Sequence, residues 1–385
     1  MNRALGAEAA GPRITLLDLP FRATAMRGPG SEVALSAATS GLLPVARRPP
    51  AGADPKGRTS RAGHADDPSE TPPVAVVWGE TGGAVLSLAE GAVRITLVGA
   101  EAIEGIAVSE TARGAVPDTR RAVSGPLSAT LTGPTRAGGT GGAAGLSLRE
   151  RRPIGVTSEP KAVPIDAATV PPGADAVFAL RVPLIGRLDG RTIVVAVTVH
   201  GDGASSLAVV GRDSDGRWAI LGRTPPQAPR EPADKAAAGT NGAPVAPAVM
   251  ADLSGDGRPR IAAVRAPDGG GVLQVWAFGD GAFRLEAEAS GYTDLAPGGA
   301  ADLAVAIGSD AAGRADIALP TADRSALAVL SLKDGTLRER ARVALPAPAA
   351  LGLAALGTGG ATHVLVGLAD GRVAVVSGLV PEAPK

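Results

Sequence analysis

Cysteine is absent from this chain of 385 residues, and aromatic residues make up only 2% of it. The first absence excludes disulfides, thiolate catalysis and cysteine-ligated zinc or iron–sulfur sites. The second means that valine, leucine, isoleucine and alanine must fill the core, for which a hydrophobic content of 45% is sufficient. Histidine occurs only three times, with no two copies close in sequence, so the pattern indicates no histidine-based metal cluster.

The chain also lacks an excess of either charge. Its 38 basic and 38 acidic residues cancel, which gives no electrostatic reason to expect a nucleic acid or an anionic membrane as a partner. No apolar run approaches the roughly 20 residues that a membrane-spanning helix requires. The first residues contain no apolar signal-peptide core, because their best run, Ile14 to Leu19, is interrupted by Asp18. We therefore expect neither a membrane span nor a visible export signal.

Glycine and proline, by contrast, are abundant, with 53 and 33 copies, and this favours many turns over long helices. Short runs rich in β-branched residues recur, such as Val74 to Trp78 and Ile193 to Val199. No helical periodicity is sustained for the dozen or so residues that a stable helix usually needs. The composition and the pattern together predict an all-β chain with long polar, proline- and glycine-rich insertions.

The regularity of this pattern divides the chain in two. Residues 1–73 contain predicted strands at 13–19 and 32–38, followed by a low-complexity linker rich in proline and arginine. They form either part of the main domain or a tail. Residues 74–385 form the main domain, although the segment 110–172 within it gives no clear pattern.

One unit of sequence recurs along the second half of the chain. An acidic loop, Asp252 to Gly257, leads into the strand Ile261 to Val264 and is followed by a strand, an Asp-Gly turn and another strand. The same order returns at Asp316-Ile317 and, less completely, over 185–223 and 357–377. A unit of three or four short strands cannot bury both faces alone, whereas units stacked around an axis can. The repeat therefore predicts a single β-propeller rather than a sandwich.

The loop sequence DLSGDGRPRI at 252–261 resembles the FG-GAP/VCBS-type propeller repeat, in which a D-x-[ND]-x-D-G-x-x-D loop precedes an apolar strand. The match is closest over residues 174–380, where the order of features is similar to that of uncharacterised bacterial VCBS-repeat proteins. The resemblance implies one propeller of about seven blades. It also implies a periplasmic or secreted protein, because such proteins are mostly exported, and it brings no established activity.

The acidic loop is a candidate calcium site. Asp252, Ser254 and Asp256 occupy alternate positions before a glycine turn, and the carbonyl of Arg258 could add a ligand, as calcium requires. The ninth position, normally a carboxylate, is Arg260, whose positive charge weakens cation binding. Two interpretations follow: a degenerate Ca²⁺ loop, or a metal-free turn in which Arg260 pairs with Asp252 or Asp256.

A second and weaker candidate loop retains Asp310 and Asp316. It has Gly308 and Ala312 at positions where acids belong, so it offers fewer ligands than the loop at 252–260. The hypothesis for the whole chain is that most repeats have lost calcium and that packing alone holds the propeller together.

The expected function follows from the strands predicted to line the centre of the propeller. Only His363 and Arg265 are titratable among them, whereas a funnel enzyme should gather at least two convergent polar groups. We therefore predict a non-enzymatic monomer that binds a protein or glycan partner. The strands predicted to be innermost are 74–78, 193–197, 261–265, 317–320 and 363–367.

Tyr292 is the candidate contact for that partner, because it lies in a connection between repeats in a chain with few aromatic residues. Two alternatives stay open. The first is a propeller enzyme, a hydrolase or lyase with its site in the central funnel. The second is a structural scaffold, which the sequence does not separate from a binding protein.

Overall fold

The chain folds into antiparallel sheets. A computed structural model describes residues 11–39, 73–136, 141–152, 163–228, 244–265, 270–296, 302–308, 313–357 and 362–379. These residues form twenty-five strands in five sheets, with two short helices, so the predicted all-β class is confirmed. Within the described ranges, neither helix has the length and apolar character needed to cross a membrane.

The amino-terminal part contributes five strands and both helices. The strand predicted at 13–19 is confirmed over a shorter range, whereas 32–38, predicted as a strand, is helical. Ser31 explains the difference, because its hydroxyl accepts a hydrogen bond from the backbone N–H of Ala34 at 3.2 Å and caps the helix. The elements are β1 (Arg13–Leu16), β2 (Ala25–Arg27), α1 (Glu32–Thr39), β3 (Val74–Gly79), β4 (Gly82–Ala89), β5 (Ala92–Val98) and α2 (Ala100–Ala107).

The middle of the chain forms one sheet of nine strands, which includes the segment without a clear sequence pattern. Its central strand joins two groups of four, one before it and one after it in the chain. The strands are β6 (Ala122–Ser124), β7 (Leu127–Thr135), β8 (Gly142–Arg151), β9 (Ile165–Val170), β10 (Ala176–Phe178), β11 (Leu184–Leu188), β12 (Arg191–His200), β13 (Ser205–Arg212) and β14 (Trp218–Arg223).

The carboxy-terminal part forms the most regular strands. Asp-Gly pairs with positive φ at both residues, such as Asp280-Gly281 and Asp334-Gly335, make the tight hairpin turns that the sequence predicts. The strands are β15 (Ala246–Ala251), β16 (Arg260–Arg265), β17 (Val272–Gly279), β18 (Ala282–Ser290), β19 (Val305–Gly308), β20 (Ala315–Pro320), β21 (Ala326–Lys333), β22 (Thr336–Ala344), β23 (Ala349–Leu356), β24 (His363–Leu368) and β25 (Val373–Ser377).

Five sheets result, which we number in chain order. Sheet I contains β2 to β5, and sheet II is the nine-stranded sheet, with the halves IIa (β6 to β9) and IIb (β11 to β14) joined by β10. Sheet III contains β15 to β18, and sheet IV contains β19 to β22. Sheet V combines β23, β24 and β25 with β1, which pairs antiparallel with β25 from Arg13 opposite Ser377 to Leu16 opposite Ala374. The two ends of the described chain therefore share one sheet.

The sheets follow one another in a ring. The first strands of successive groups contact each other, in the order β6, β11, β15, β19, β23 and β2. Apolar clusters fill the spaces between IIa and IIb, IIb and III, III and IV, IV and V, and V and I. Between sheets I and IIa, a β-bridge joins Ser31 to Ala122, and α1 and α2 pack on sheet I.

The innermost strands are not the predicted ones. The apolar segments predicted to line the centre are β3, β12, β16, β20 and β24, and each is the second strand of its group. Strands β3 and β20 are buried along their whole length, because β20 lies between two sheets and β3 lies between sheet V and the two helices, and this produces their continuous apolar sequences. The first strands β2 and β6 contain only three residues each, which concealed them in the sequence.

Candidate functional site

A cavity of about 450 Å³ lies inside the ring of first strands. All six of these strands contribute residues to its wall, together with the turns that precede or follow them. Most of the wall is apolar. Its larger apolar side chains include Met26, Leu184, Ile185, Val249, Val305 and Leu353.

Five charged residues interrupt this apolar wall, and we call them the cavity cluster. Arg27 ends β2, and Glu110 ends the short 3₁₀ turn after α2. Arg120 and Arg121 directly precede β6, and Asp302 precedes β19. The cluster therefore draws on three sheets, and it lies beside the junction of sheets I and IIa, where helices and ion pairs take part in the packing.

The innermost pair of the cluster joins Arg27 to Glu110. The Arg27 Nε donates to Glu110 Oε2 at 3.1 Å, and both side chains are buried, with 13% and 6% of their surfaces exposed. The guanidinium also lies 5.4 Å from the ring centre of Trp78. Burial lowers the pKa of Arg27, and the neighbouring charge of Arg120 lowers it further, while Glu110 opposes both. The charge of Arg120 therefore acts on Arg27 in a poorly solvated part of the wall.

The outer pair joins Arg120 to Asp302. Arg120 Nη2 lies 2.9 Å from Asp302 Oδ2, and the Asp302 side chain is 56% exposed. Asp302 is therefore much more accessible to solvent than Glu110, the other carboxylate of the cluster. The charge of Asp302 also acts on Arg27, so the two pairs form one electrostatic group.

Arg121 fixes the position of the segment that carries the cluster. Its guanidinium binds the Glu32 carboxylate through two nitrogens and donates to the Ser109 carbonyl at 3.0 Å. Its backbone N–H donates to the Glu110 carbonyl at 2.7 Å. Glu32 lies in the first turn of α1, where the helix dipole favours a carboxylate. The strand β6 and the turn that carries Glu110 are therefore tied to sheet I.

The chemistry of the cluster is that of anion binding and proton transfer. Paired guanidinium groups recognise carboxylates and phosphates, and they stabilise negative charge that develops during a reaction. An exposed carboxylate beside them can accept a proton. In the part of the chain that the structure describes, no three His, Cys, Asp or Glu side chains are arranged to hold a metal ion.

In the predicted calcium loop, the oxygens that would bind the metal accept hydrogen bonds from groups of the protein itself. The Asp252 carboxylate accepts the backbone N–H groups of Gly255 and Gly257 at 2.7 and 2.8 Å. Arg260 donates to both oxygens of Asp256, at 3.0 and 2.8 Å, and to the carbonyl of Arg258 at 2.7 Å.

The pKa of Asp256 is held well below its usual range, first by the hydrogen bond from Arg260. Ser254 also donates to this carboxylate. The geometry is that of the metal-free turn, with Arg260 paired to Asp256. Calcium binding by the loop stays a prediction and is taken up in the Discussion.

The second candidate loop is described only in part. Asp310 lies outside the described residues. Asp316 is fully buried, accepts a hydrogen bond from Ser331 Oγ at 2.6 Å, and lies 2.7 Å from Arg340 Nη2. It is therefore part of an internal ion pair within sheet IV.

Tyr292, predicted as a surface contact for a partner, is instead buried. Its side chain is 7% exposed and belongs to the apolar cluster between sheets III and IV. The hydroxyl donates to Glu339 Oε2 at 2.7 Å. The connection that carries Tyr292 folds into this gap because its ring fills apolar space there and its polar end finds a partner.

Comparison with known proteins gives similarity at the level of whole structures. No protein-family model matches the chain, and no curated protein matches it. One similar structure, provisionally named a 6-phosphogluconolactonase, is from Bacteroides uniformis, with a TM-score of 0.38, 12% identity, and coverage of 80% of this chain and 75% of that one. Another, a protein from Lactobacillus plantarum, has a TM-score of 0.37, 13% identity, and coverage of 76% and 77%.

The prediction of a non-catalytic binding or scaffold protein is corrected by these findings. It depended on a centre with almost no titratable groups, whereas the true first strands and their turns place five charged side chains in the cavity wall. None of the five was singled out from the sequence. The only signal was the adjacent pair Arg120-Arg121, in a segment without a clear pattern.

Proposed function

We propose that the protein is a propeller enzyme, a hydrolase or lyase, that holds a small anionic substrate at the cavity cluster. The observation that carries the proposal is that two mostly buried guanidinium groups, Arg27 and Arg120, line the same mostly apolar central cavity. Each guanidinium already has one carboxylate partner, and an anion that enters the cavity can take the place of the more exposed partner, Asp302, at Arg120. The site is therefore built for a negative group.

The propeller is part of this proposal. It is supported by the ring of contacts between first strands and by the sheet that the first and last strands share. The described residues supply six groups of four strands, so we propose six blades among them, where the resemblance implies about seven in all. We further propose that the loop at 252–261, which connects the first two strands of sheet III, belongs to an FG-GAP/VCBS-type blade.

The residues of the cluster take different parts in the proposed reaction. Arg27 and Arg120 bind the substrate anion and stabilise the charge that develops on it. Asp302 accepts a proton from water or from the substrate, since it is the exposed carboxylate of the cluster. Glu110 acts through Arg27, whose orientation it fixes.

Turnover of model substrates tests the proposal. Hydrolysis is followed as release of 4-nitrophenol from mono(4-nitrophenyl) glutarate, which carries a carboxylate, and from the uncharged 4-nitrophenyl butyrate. Elimination is followed on a uronate substrate, as the ultraviolet absorbance of the unsaturated product that a lyase would release. We expect turnover of a carboxylate-bearing substrate and a loss of about 100-fold in kcat/KM in Arg120→Gln.

The matched control is Arg217→Gln, which removes an exposed arginine that pairs with Asp215 away from the cavity. It should leave kcat/KM unchanged, and circular dichroism verifies the fold of both variants. Absence of turnover on every carboxylate-bearing substrate, or equal turnover in the native protein and Arg120→Gln, refutes the proposal.

A further inference from the structure

We infer that the cavity binds an amphipathic monoanion, a carboxylate with an apolar body, and that the ligand carboxylate displaces Asp302 from Arg120. The inference rests on the proposed function, because it names the substrate class of the same site. It is carried by three observations: the charge balance of the wall, the unequal burial of its carboxylates, and the apolar remainder of the cavity.

The charge balance allows one negative charge to enter. The wall contains three arginines, and each has one carboxylate partner: Glu110 for Arg27, Asp302 for Arg120, and Glu32 for Arg121. A ligand that replaces one of these carboxylates keeps the balance only if it carries a single negative charge. A dianion such as a phosphate monoester leaves one uncompensated negative charge close to Glu110, where desolvation makes it costly.

Asp302 is the carboxylate that can leave. Its side chain is 56% exposed, against 6% for Glu110 and 14% for Glu32. Its contact with Arg120 is a single one at 2.9 Å, whereas Glu32 is held by two nitrogens of Arg121. An exposed ion pair of this kind contributes little free energy, so Asp302 can turn towards water at small cost. Arg120, with 17% exposure, stays in the wall and becomes available.

The rest of the ligand meets an apolar surface. Leu184, Ile185, Val249, Val305 and Leu353 contribute to the wall of the cavity that also contains Arg120. A volume of about 450 Å³ lies in the range of small-molecule sites. Because burial of apolar area favours binding, a carboxylate that carries an alkyl or aryl body gains affinity over a small hydrophilic anion.

Calorimetric titration of the full-length protein with four probes tests the inference. The probes are octanoate, acetate, 1-octanol and octyl phosphate, at pH 7.5. We expect octanoate to bind at least about tenfold more tightly than each of the others. Acetate lacks the apolar body, 1-octanol lacks the charge, and octyl phosphate carries the second negative charge.

A variant that is expected to bind octanoate more tightly separates displacement of Asp302 by the ligand from a merely structural role of Asp302. Asp302→Asn removes the competing carboxylate, so octanoate should bind about tenfold more tightly than to the native protein. Asp215→Asn is the matched control, because it removes a carboxylate that also lies 2.9 Å from an arginine, Arg217, but outside the cavity wall. It should leave the affinity for octanoate unchanged.

The outcomes distinguish this inference from the proposed function. Unchanged or weaker octanoate binding in Asp302→Asn overturns the inference, as does equal or tighter binding of acetate or octyl phosphate. Binding is measured without turnover, so a protein that binds octanoate as expected but shows no reaction refutes only the proposed enzyme. A protein that turns over carboxylate esters but shows no preference for octanoate refutes only the inference.

Discussion

Sheets III and IV place an ion pair at the same position with opposite polarity. In sheet III, Arg260 at the start of β16 donates from Nε to Glu286 Oε2 on β18 at 2.8 Å. In sheet IV, Asp316 on β20 lies 2.7 Å from the Arg340 Nη2 on β22. Glu286 and Arg340 are each the extra residue of a β-bulge in the fourth strand. The position thus requires a partner across the sheet and does not dictate which side carries which charge.

Sheet IIb fills the equivalent position without charge. Leu221 is the extra residue of the bulge in β14, and both Leu221 and Ile193 lie over Gly211 on the strand between them. A β-carbon on Gly211 would lie 2.7 Å from Leu221 Cδ1 and 3.5 Å from Ile193 Cγ2. The feature common to the three sheets is a pair of side chains that belong to the second and fourth strands and face each other across the strand between them. Buried ion pairs are often replaceable by apolar pairs of similar volume, which explains how the three sheets can differ.

The largest expected effect comes from Arg340→Ala. It removes the guanidinium beside the fully buried Asp316 carboxylate, so the free energy of unfolding should fall by about 3–5 kcal/mol. Urea denaturation measures it. Arg338→Ala, which removes an exposed arginine two residues away on β22, is the control and should cost less than about 0.5 kcal/mol. Equal effects of the two substitutions would contradict a specific ion pair.

Exchange of the charges in sheet III should have the next largest effect. Arg260→Asp places a third carboxylate beside Asp256 and Glu286 and should destabilise the protein by about 3 kcal/mol. Addition of Glu286→Arg gives sheet III the polarity of sheet IV and should recover about half of the loss. The double-mutant cycle is measured by urea denaturation. If the two effects simply add, the equivalence of the two sheets is refuted.

The apolar pair in sheet IIb should tolerate substitution better than the ion pairs of sheets III and IV. Gly211→Ala inserts a methyl group against Leu221 Cδ1 and should cost about 1–2 kcal/mol in the free energy of unfolding. Leu221→Val in the same chain removes the clashing atom, so the double variant should be more stable than Gly211→Ala alone. Stability that is unchanged by Gly211→Ala would show that the small residue is not required there.

The sequence predicted the strands that carry strong local signals. Asp-Gly turns fix the hairpins of sheets III and IV, and second strands such as Val74–Gly79 are apolar throughout because they are buried on both faces. The first strands, such as Ala25–Arg27 and Ala122–Ser124, contain only three residues each and have no such signal. The second strands were therefore predicted to be innermost, and the residues of the cavity wall, which lie on the first strands and their turns, were missed.

The cavity cluster was beyond prediction for a further reason. Arg27, Glu110, Arg120 and Asp302 are far apart in sequence and share no motif spacing. They meet only because the ring brings sheets I, IIa and IV to one centre. The residues Arg260 and Asp256 are close in sequence, and their pairing could be weighed beforehand as one of two interpretations.

Tyr292, packed between sheets III and IV, should make stability depend on pH only in the alkaline range. Burial and the hydrogen bond to Glu339 raise its pKa to about 12, from an ordinary value of 10.0. Because the folded state holds this proton more tightly, the stabilisation is complete below pH 10 and is lost as the pH rises towards 12. Tyr292 is the only tyrosine in the chain, so absorbance near 295 nm reports its titration alone.

The control for this titration is Glu339→Gln, which removes the carboxylate that accepts from the hydroxyl and should move the midpoint towards 10. In Tyr292→Phe, the slope of stability against pH between 10 and 12 should be smaller than in the native protein. A native midpoint near 10 while the protein is still folded would place Tyr292 in solvent and contradict its burial between the two sheets.

The smallest expected effect is that of calcium on the native protein. In sheet III the Arg260 guanidinium already bonds to Asp256 and to the Arg258 carbonyl, where a cation would bind, so calcium in place of a chelator should change Tm by less than about 1 °C. Arg260→Asp supplies the ninth-position carboxylate of a calcium loop, and its Tm should therefore rise with calcium. A rise of several degrees in the native protein would instead assign Asp252, Ser254 and Asp256 to a working calcium site. Arg260 would then be a neighbour of the metal and not its replacement.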